Sequence, residues 1–221
     1  PKKILFLKKK SEISDFFREI DFLRKNNFLA GFFSFELGYF FEKVLEKRGW
    51  KNSFPLAIVG VFDLPPVLYA PLKRKWKIEN LHLNVSRKNY IKNISKIKKH
   101  LANGDIYQVN YTIKYKFNFM GDAFSMWKNL KEKQGAPFNF FIDTGDFKIL
   151  SFSPEIFFTK NKKVILMKPM KGTAKRGKDI CEDEKIDEFL FKDEKNRAEN
   201  LMIVDLIRND LGRVSKMGSV K

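Results

Sequence analysis

The spacing of apolar and polar positions divides the chain into helical and extended stretches. Between Ser11 and Lys25, Ile13, Phe16, Phe17, Ile20 and Leu23 recur at helical spacing behind Ser11 and Ser14, either of which suits a cap, and predict a short amphipathic helix. Phe28 to Gly38 and Leu56 to Phe62 are dense in Phe, Ile and Val and bounded by Gly and Pro, as buried strands are. A second helix is predicted over Ser86 to Gly104, with Tyr90, Ile91, Ile94, Ile97 and Leu101 as its apolar stripe, Ser86 as cap and Gly104 at the stop position. From Asp105 to Phe119 the period changes to two: Tyr107, Val109, Tyr111, Ile113, Tyr115, Phe117 and Phe119 alternate with polar residues and predict a long strand with one face in a core. Phe138 to Ile142 and Phe147 to Phe152 flank Asp143-Thr144-Gly145-Asp146, and Ile156 to Thr159 and Val164 to Lys168 flank Lys160 to Lys163, so turn chemistry predicts two hairpins. Ala198 to Val214 returns to helix. Helix, strands, helix, a run of antiparallel strands and a final helix make an α+β class, not an alternating parallel one. Without a repeat or a Pro/Gly/Ser-rich linker, the expectation is a single domain or two intimately packed lobes of one, divided as residues 1–85 and 86–221.

Composition narrows the picture. With 221 residues, 43% of them hydrophobic and 15% aromatic, the chain can bury one substantial core or two small ones, which excludes wholesale disorder. The 44 basic against 26 acidic residues leave a net +18, which attracts acidic ligands, nucleic acids and anionic membranes alike. Lysine dominates and is scattered along the chain, with no concentrated, aromatic-lined basic face, so no nucleic-acid partner is expected. No membrane is expected either, because no stretch approaches the ~20 apolar residues of a span. Lys92, Lys96 and Lys99 on the second helix read as a solvated face. A single cysteine, Cys181, closes no intrachain disulfide, and His82 and His100 show no metal-ligand spacing with it; a reducing cytoplasmic setting is expected. The chain starts at Pro1 with no initiator Met and stops at Gly218-Ser219-Val220-Lys221, so it is expected to be a piece of a longer protein.

Three places carry residues suited to chemistry. Met167-Lys168-Pro169-Met170-Lys171-Gly172-Thr173-Ala174-Lys175-Arg176-Gly177 combines two glycines, a threonine and four cations, a composition that brings backbone N–H groups and positive charge to a carboxylate or phosphate. It lacks the Gly-x4-Gly-Lys order of a Walker loop, and a solvated basic turn has the same composition. Glu155, in Ser153-Pro154-Glu155 between apolar strands, is a general acid if desolvation raises its pKa and a strand-edge residue if it faces water. Glu199 shares a helical stripe with Ile203, Leu206 and Asp210, where a carboxylate needs a partner or a hard cation such as Mg²⁺; an acid in a first helical turn also simply favours the helix dipole.

Taken together, Gly104-Asp105-Ile106-Tyr107-Gln108-Val109-Asn110-Tyr111-Thr112, Ser153-Pro154-Glu155, Pro169-Met170-Lys171-Gly172-Thr173 with Arg176-Gly177, and the segment from Asp193-Glu194-Lys195-Asn196-Arg197-Ala198-Glu199 through Arg208-Asn209-Asp210-Leu211-Gly212-Arg213 resemble, in order, the signature blocks of the chorismate-utilising enzymes. Glu36-Leu37-Gly38 is similar to part of their N-terminal region. The resemblance implies an α+β fold of the anthranilate-synthase type, a two-sheet antiparallel β-sandwich flanked by helices. Lys171 before Gly-Thr, where anthranilate synthases typically carry Ala, leans toward the aminodeoxychorismate synthases, and the Gln108-Val109-Asn110 block leans the same way. It further implies that Lys171 attacks the chorismate ring with Glu155 as general acid, that Gly172 and Thr173 contact chorismate, and that Glu199 binds Mg²⁺. Lys168, Lys175 and Arg176 would help keep Lys171 neutral if they approach it. A glutamine amidotransferase subunit is implied as the partner that supplies ammonia.

Departures from the pattern carry their own expectations. Relatives continue well beyond the equivalent of Lys221, through a second metal-ligand Glu and a Tyr and Arg for the substrate carboxylates, so half a metal site and an open core edge are expected here. Met170 replaces a more usual Ile, a volume-conserving change. Asn196 stands where many relatives are acidic.

Overall fold

A computed structural model describes residues 1–46, 54–65 and 74–221. It divides into two compact units, Pro1–Leu72 and Lys73–Lys221. That boundary lies ahead of the division after residue 85, because the strand just before the second helix pairs within the later unit.

In the first unit, β1 (Lys3–Leu7), α1 (Ile13–Leu23), β2 (Phe28–Phe33), a 3-10 segment (Phe35–Phe40), α2 (Lys43–Glu46) and β3 (Ala57–Phe62) follow one another. The strands form an antiparallel sheet in the order β1-β3-β2, with Leu5 and Gly31 both opposite Val59. As the central strand, β3 is covered on both faces, which is why Ala57 to Val61 is an unbroken buried run of small and β-branched residues. β1 alternates instead, with Leu5 and Leu7 inward and Ile4 and Phe6 exposed. Phe16 is buried in this core, and Ile13, Phe17, Ile20 and Leu23 of the predicted stripe pack against it. Two differences from the sequence reading have plain causes. β1, which reads as a short apolar run between lysines, becomes a strand only because β3 supplies its ladder from far along the chain. The strand expected over Phe28 to Gly38 ends at Phe33, where the facing strand ends at Ala57; the Ser34 N–H still reaches Leu56 O at 2.8 Å, and the chain then coils.

The second unit opens with β4 (Trp76–Leu83), then α3 (Arg87–Ala102), β5 (Tyr115–Gly121), α4 (Ala123–Gln134), β6 (Phe138–Asp143), β7 (Lys148–Ser153), β8 (Thr159–Asn161), β9 (Val164–Leu166), α5 (Ile180–Lys192) and α6 (Glu194–Val214). Its strands form three antiparallel pairs, β4-β5, β6-β7 and β8-β9. The α+β class therefore holds, while the described strands form one three-stranded and three two-stranded sheets in place of a two-sheet sandwich. α3 is capped as expected, Ser86 Oγ accepting the Asn89 N–H, with Gly104 left-handed after its end. Lys92, Lys96 and Lys99 are exposed.

The long alternating segment is shorter as a strand than its pattern predicts. Residues 105–114 lie outside any strand, since β4 extends only to Leu83 and the last bonds are those between Asn84 and Lys114. Tyr111 is instead held by α3, where its hydroxyl accepts from Asn93 Nδ2 at 2.7 Å and its ring lies 5.8 Å from Tyr90. β5 is exposed along its whole length, contrary to the expected core face. Phe117 and Phe119 line an open apolar groove of about 600 Å³ with Met126, Leu130, Leu150 and Phe152, so the expected face exists without a filled interior.

α4 is not apparent from the apolar spacing; its buried residues, Ala123, Ser125 and Met126, lie in its first turn. Asp122 caps it through the Ser125 N–H, and Ser125 Oγ accepts from the Arg74 N–H at 2.8 Å. The first predicted hairpin appears as β6-β7, with Phe141 opposite Leu150 and Phe124 of α4 packed edge-on against Phe141. The second contracts to three residues a side about a left-handed Lys162. Among the described residues no helix is long and apolar enough to cross a membrane.

Leu7 is fully buried, so Leu7→Ala is expected to cost about 2–5 kcal/mol, far more than Phe6→Ala on the exposed face, as measured by urea unfolding followed by circular dichroism. Hydrogen bonds from Lys148 Nζ and the Gly145 N–H hold the Asp143 carboxyl below its ordinary 3.8. Its contribution to stability is therefore present above about pH 3.8 and is lost as pH falls through the lower folded value. The stability gap between the native chain and Asp143→Asn should close on acidification, which thermal melts from neutral to strongly acid pH will measure.

Candidate active site

The site is assembled from the end of one hairpin, a long loop and two consecutive helices. At the end of β7, Ser153 Oγ accepts the Glu155 N–H at 3.2 Å and donates to Glu155 O at 2.6 Å, forming a tight local turn. From it the Glu155 side chain reaches the loop that follows β9, where Oε1 accepts the Met170 N–H at 3.2 Å. Glu155 is exposed, as in the solvent-facing alternative the sequence left open. Its carboxylate holds the residue before Lys171.

Residues 167–177 carry no regular structure. Lys171 and Gly172, both half-buried, form one wall of an open cavity of about 600 Å³. The other walls are Leu190 and Phe191 near the end of α5 and the first turns of α6, including Asn196, Arg197, Asn200 and Leu201. A single residue joins the two helices: Asp193 N–H bonds Phe189 O at 2.9 Å to close α5, while its carboxylate accepts the Asn196 N–H at 2.8 Å to cap α6. This joint sets both helices beside the cavity. Gly172 is left-handed at φ 76°, and a Cβ there would lie 2.8 Å from Asn196 Oδ1. The loop backbone thus rests directly on the Asn196 amide.

The predicted site residues divide between the cavity and its surroundings. Lys171 and Gly172 line it; Thr173 is exposed and Glu155 stands beside the loop, both outside the lining. Glu199 is half-buried on α6, also outside the lining, and has no hydrogen-bond or ion-pair partner among the described residues. Of the stripe expected with it, Ile203 is half-buried but Leu206 and Asp210 are exposed; the half-buried residues of α6 are Asn196, Glu199, Asn200, Met202, Ile203, Val204, Ile207 and Leu211.

A half-buried, unpartnered carboxylate suits a hard divalent cation. Among the described residues, however, no three His, Cys, Asp or Glu side chains lie together, so Glu199 offers one ligand and these residues do not make a Mg²⁺ site by themselves. The loop's cations also differ from one another. Arg176 pairs with Asp183, whereas Lys168, Lys171 and Lys175 make no ion pair among the described residues. The cavity walls that the sequence reading missed, Leu190 and Phe191, belong to α5, whose start is signalled only by Asp179 with Glu182 three residues on.

Gly172→Ala is expected to destabilise the chain by about 1–2 kcal/mol through the left-handed backbone alone, with the Asn196 clash added. Asn196→Ala in the same chain should recover only the steric part. Unfolding free energies of the two variants will separate these contributions.

The comparisons with known proteins bear on this same region. Residues 64–221 match the chorismate binding enzyme family. Aminodeoxychorismate synthase component 1 of Bacillus subtilis is 41% identical over 128 residues, which is 58% of this chain and 27% of that protein. The protein of the same name from Escherichia coli is 31% identical and covers 86% of this chain and 48% of its own length. Anthranilate synthase component 1 of Aquifex aeolicus is 36% identical over 143 residues, 65% of this chain and 29% of that protein. The crystal structure of anthranilate synthase component I from Streptococcus pneumoniae superposes with a TM-score of 0.67 at 18% identity, over 88% of this chain and 55% of that one, a likeness of fold. The chain spans about half or less of the length of these relatives.

Proposed function

This chain belongs to the chorismate-binding enzymes, and from that premise we propose that it is part of an aminodeoxychorismate synthase component I, which converts chorismate and ammonia to 4-amino-4-deoxychorismate, the precursor of 4-aminobenzoate in folate synthesis. The observation that carries this reading is Lys171, a half-buried lysine in the wall of the cavity between the loop and α6, at the position before Gly-Thr where the resemblance implies Ala in anthranilate synthases.

The proposed chemistry is a double displacement. Lys171 Nζ forms a bond to ring carbon C2 as both conjugated ring double bonds shift and the C4–O bond breaks; the oxygen leaves as water with the proton of Glu155. Ammonia then bonds to C4, both double bonds return, the C2–Nζ bond breaks, and the proton lost by the incoming nitrogen restores Glu155. Chorismate and ammonia thus give aminodeoxychorismate and water, with both side chains regenerated. The contact between Glu155 Oε1 and the Met170 N–H supports this assignment, because it puts the acid one residue from the nucleophile. Gly172 and Thr173 follow the amine and are proposed to meet the substrate through the loop backbone. Mg²⁺ at Glu199 belongs to the same proposal; when bound, it would neutralise a ring carboxylate.

The names of the relatives carry the words "component 1". The second component proposed for this chain is a glutamine amidotransferase that delivers ammonia. A second reading, anthranilate synthase component I, draws support from the 36% identity of the Aquifex aeolicus protein.

An ammonia-dependent assay with chorismate and Mg²⁺, coupled through the lyase to 4-aminobenzoate, tests the choice on this chain and on one extended to the length of its relatives. Formation of 4-aminobenzoate that is abolished by Lys171→Ala, and reduced about 100-fold or more by Glu155→Gln, is expected. Anthranilate fluorescence in place of 4-aminobenzoate would select the second reading.

A further inference from the structure

The loop that carries Lys171 is held to α5 by a carboxylate to which the proposed chemistry gives no role. At the start of α5, Asp179 caps the helix by accepting the Glu182 N–H at 2.9 Å, and Glu182 Oε2 accepts the N–H of Lys178, the residue before the cap, at 2.6 Å. Those two acids are explained by capping. Asp183, one residue further on, is not. Its Oδ1 accepts the Gly177 N–H at 2.5 Å and its Oδ2 pairs with the Arg176 guanidinium, so one carboxylate grips both the backbone and a side chain of the loop. Its side chain is only 24% exposed, against 90% for Arg176. The approach also requires glycine at 177, where a Cβ would lie 2.5 Å from the Asp183 N and 2.8 Å from Glu182 C.

The path of the chain gives this grip a consequence at Lys171. Lys171 and Gly172 share the cavity with Leu190 and Phe191 near the end of α5, while Gly177 is fastened at its start. The loop therefore runs back along α5. From Asp183 to Leu190 the helix rises only about 10 Å at 1.5 Å per residue. The five steps from Gly172 to Gly177 reach at most about 17 Å when fully extended. That length is enough to span the helix, and the segment is held at one end by Asp183 and rests at the other on Asn196.

We propose that Asp183 is a positioning residue for Lys171: its simultaneous hold on Gly177 and Arg176 keeps the loop docked along α5 and so fixes the amine at the wall of the cavity. This rests on the reading of Lys171 as the reacting amine. Asp183 touches no substrate in this role; it acts through the loop, by limiting how far the nucleophile can stray from a productive position.

Competitive acetylation of the full chain, read by mass spectrometry as the rate at Lys171 relative to Lys162 in the β8-β9 turn, tests the proposal. Asp183→Ala is expected to raise that ratio several-fold as the half-buried amine is released. Asp183→Asn, whose amide oxygen still accepts from Gly177, should restore most of the protection, and Arg176→Gln should fall between them. An unchanged ratio in a folded Asp183→Ala variant would overturn the proposal. If Asp183→Ala fails to fold, the Asn and Gln variants decide: ratios equal to that of the native chain in both, with loop amide hydrogen exchange equal in Arg176→Gln, would also overturn it. Chorismate, added in a parallel arm, should protect Lys171 in the native chain; absence of that protection counts against the assigned function and leaves the comparison among variants intact.

Discussion

A backbone segment with no ladder and no helix still has to bond its N–H groups, and in this protein carboxylates accept those that matter most. Glu155 takes the Met170 N–H, Glu182 the Lys178 N–H and Asp183 the Gly177 N–H, so the loop around Lys171 is bonded on both sides of the amine. Each acid is itself fixed by a regular element or a tight turn. Order in the hairpin end and in the first turn of α5 is thereby transferred to a segment that has none of its own. The same requirement accounts for glycine at 172 and 177, where Asn196 and the start of α5 leave no space for a side chain.

The two units solve the burial problem differently. The first closes a small sheet with one amphipathic helix, and Leu5 and Leu7 of β1, Ala57, Val59 and Val61 of β3, and Phe16 cluster in its core with Leu37 and Leu56. In the second, the buried residues lie in the first turn of α4, while β5 and one side of β7 front an open apolar groove. Aromatic contacts such as those of Phe124 with Trp127 and Phe141 carry much of the packing there. The Lys171 cavity is open as well, walled by one loop and one face of a helix pair.

Local signals were legible where a local cause was sufficient. The α1 stripe, the Ser86 cap and Gly104 stop of α3, and the Asp143 to Asp146 turn all appear where the residues predict them, because each depends on neighbours within a few positions. Strand length was not legible in the same way. Asp105 to Phe119 alternates throughout, yet only its last part becomes β5, since a strand exists only as far as a partner accompanies it. At the site, the Lys171 loop, Glu155 and Glu199 stood out by residue type, but Asn196 and Asp183 did not, because neither an amide on a helix nor an acid in a first turn has a signature for what it touches.

The sequence by itself determined the class of elements, the order of the family's signature blocks and the identity of the candidate site residues, since these depend on composition and short-range spacing. Tertiary structure decided which of those side chains meet: it put Lys171 and Gly172 against α6, left Glu199 and Thr173 outside the cavity, and turned Glu155 toward a backbone N–H. The physical reason is separation along the chain. Met170 lies 15 residues from Glu155, and the distance between them is set by how the intervening hairpin and loop pack, which no periodicity records.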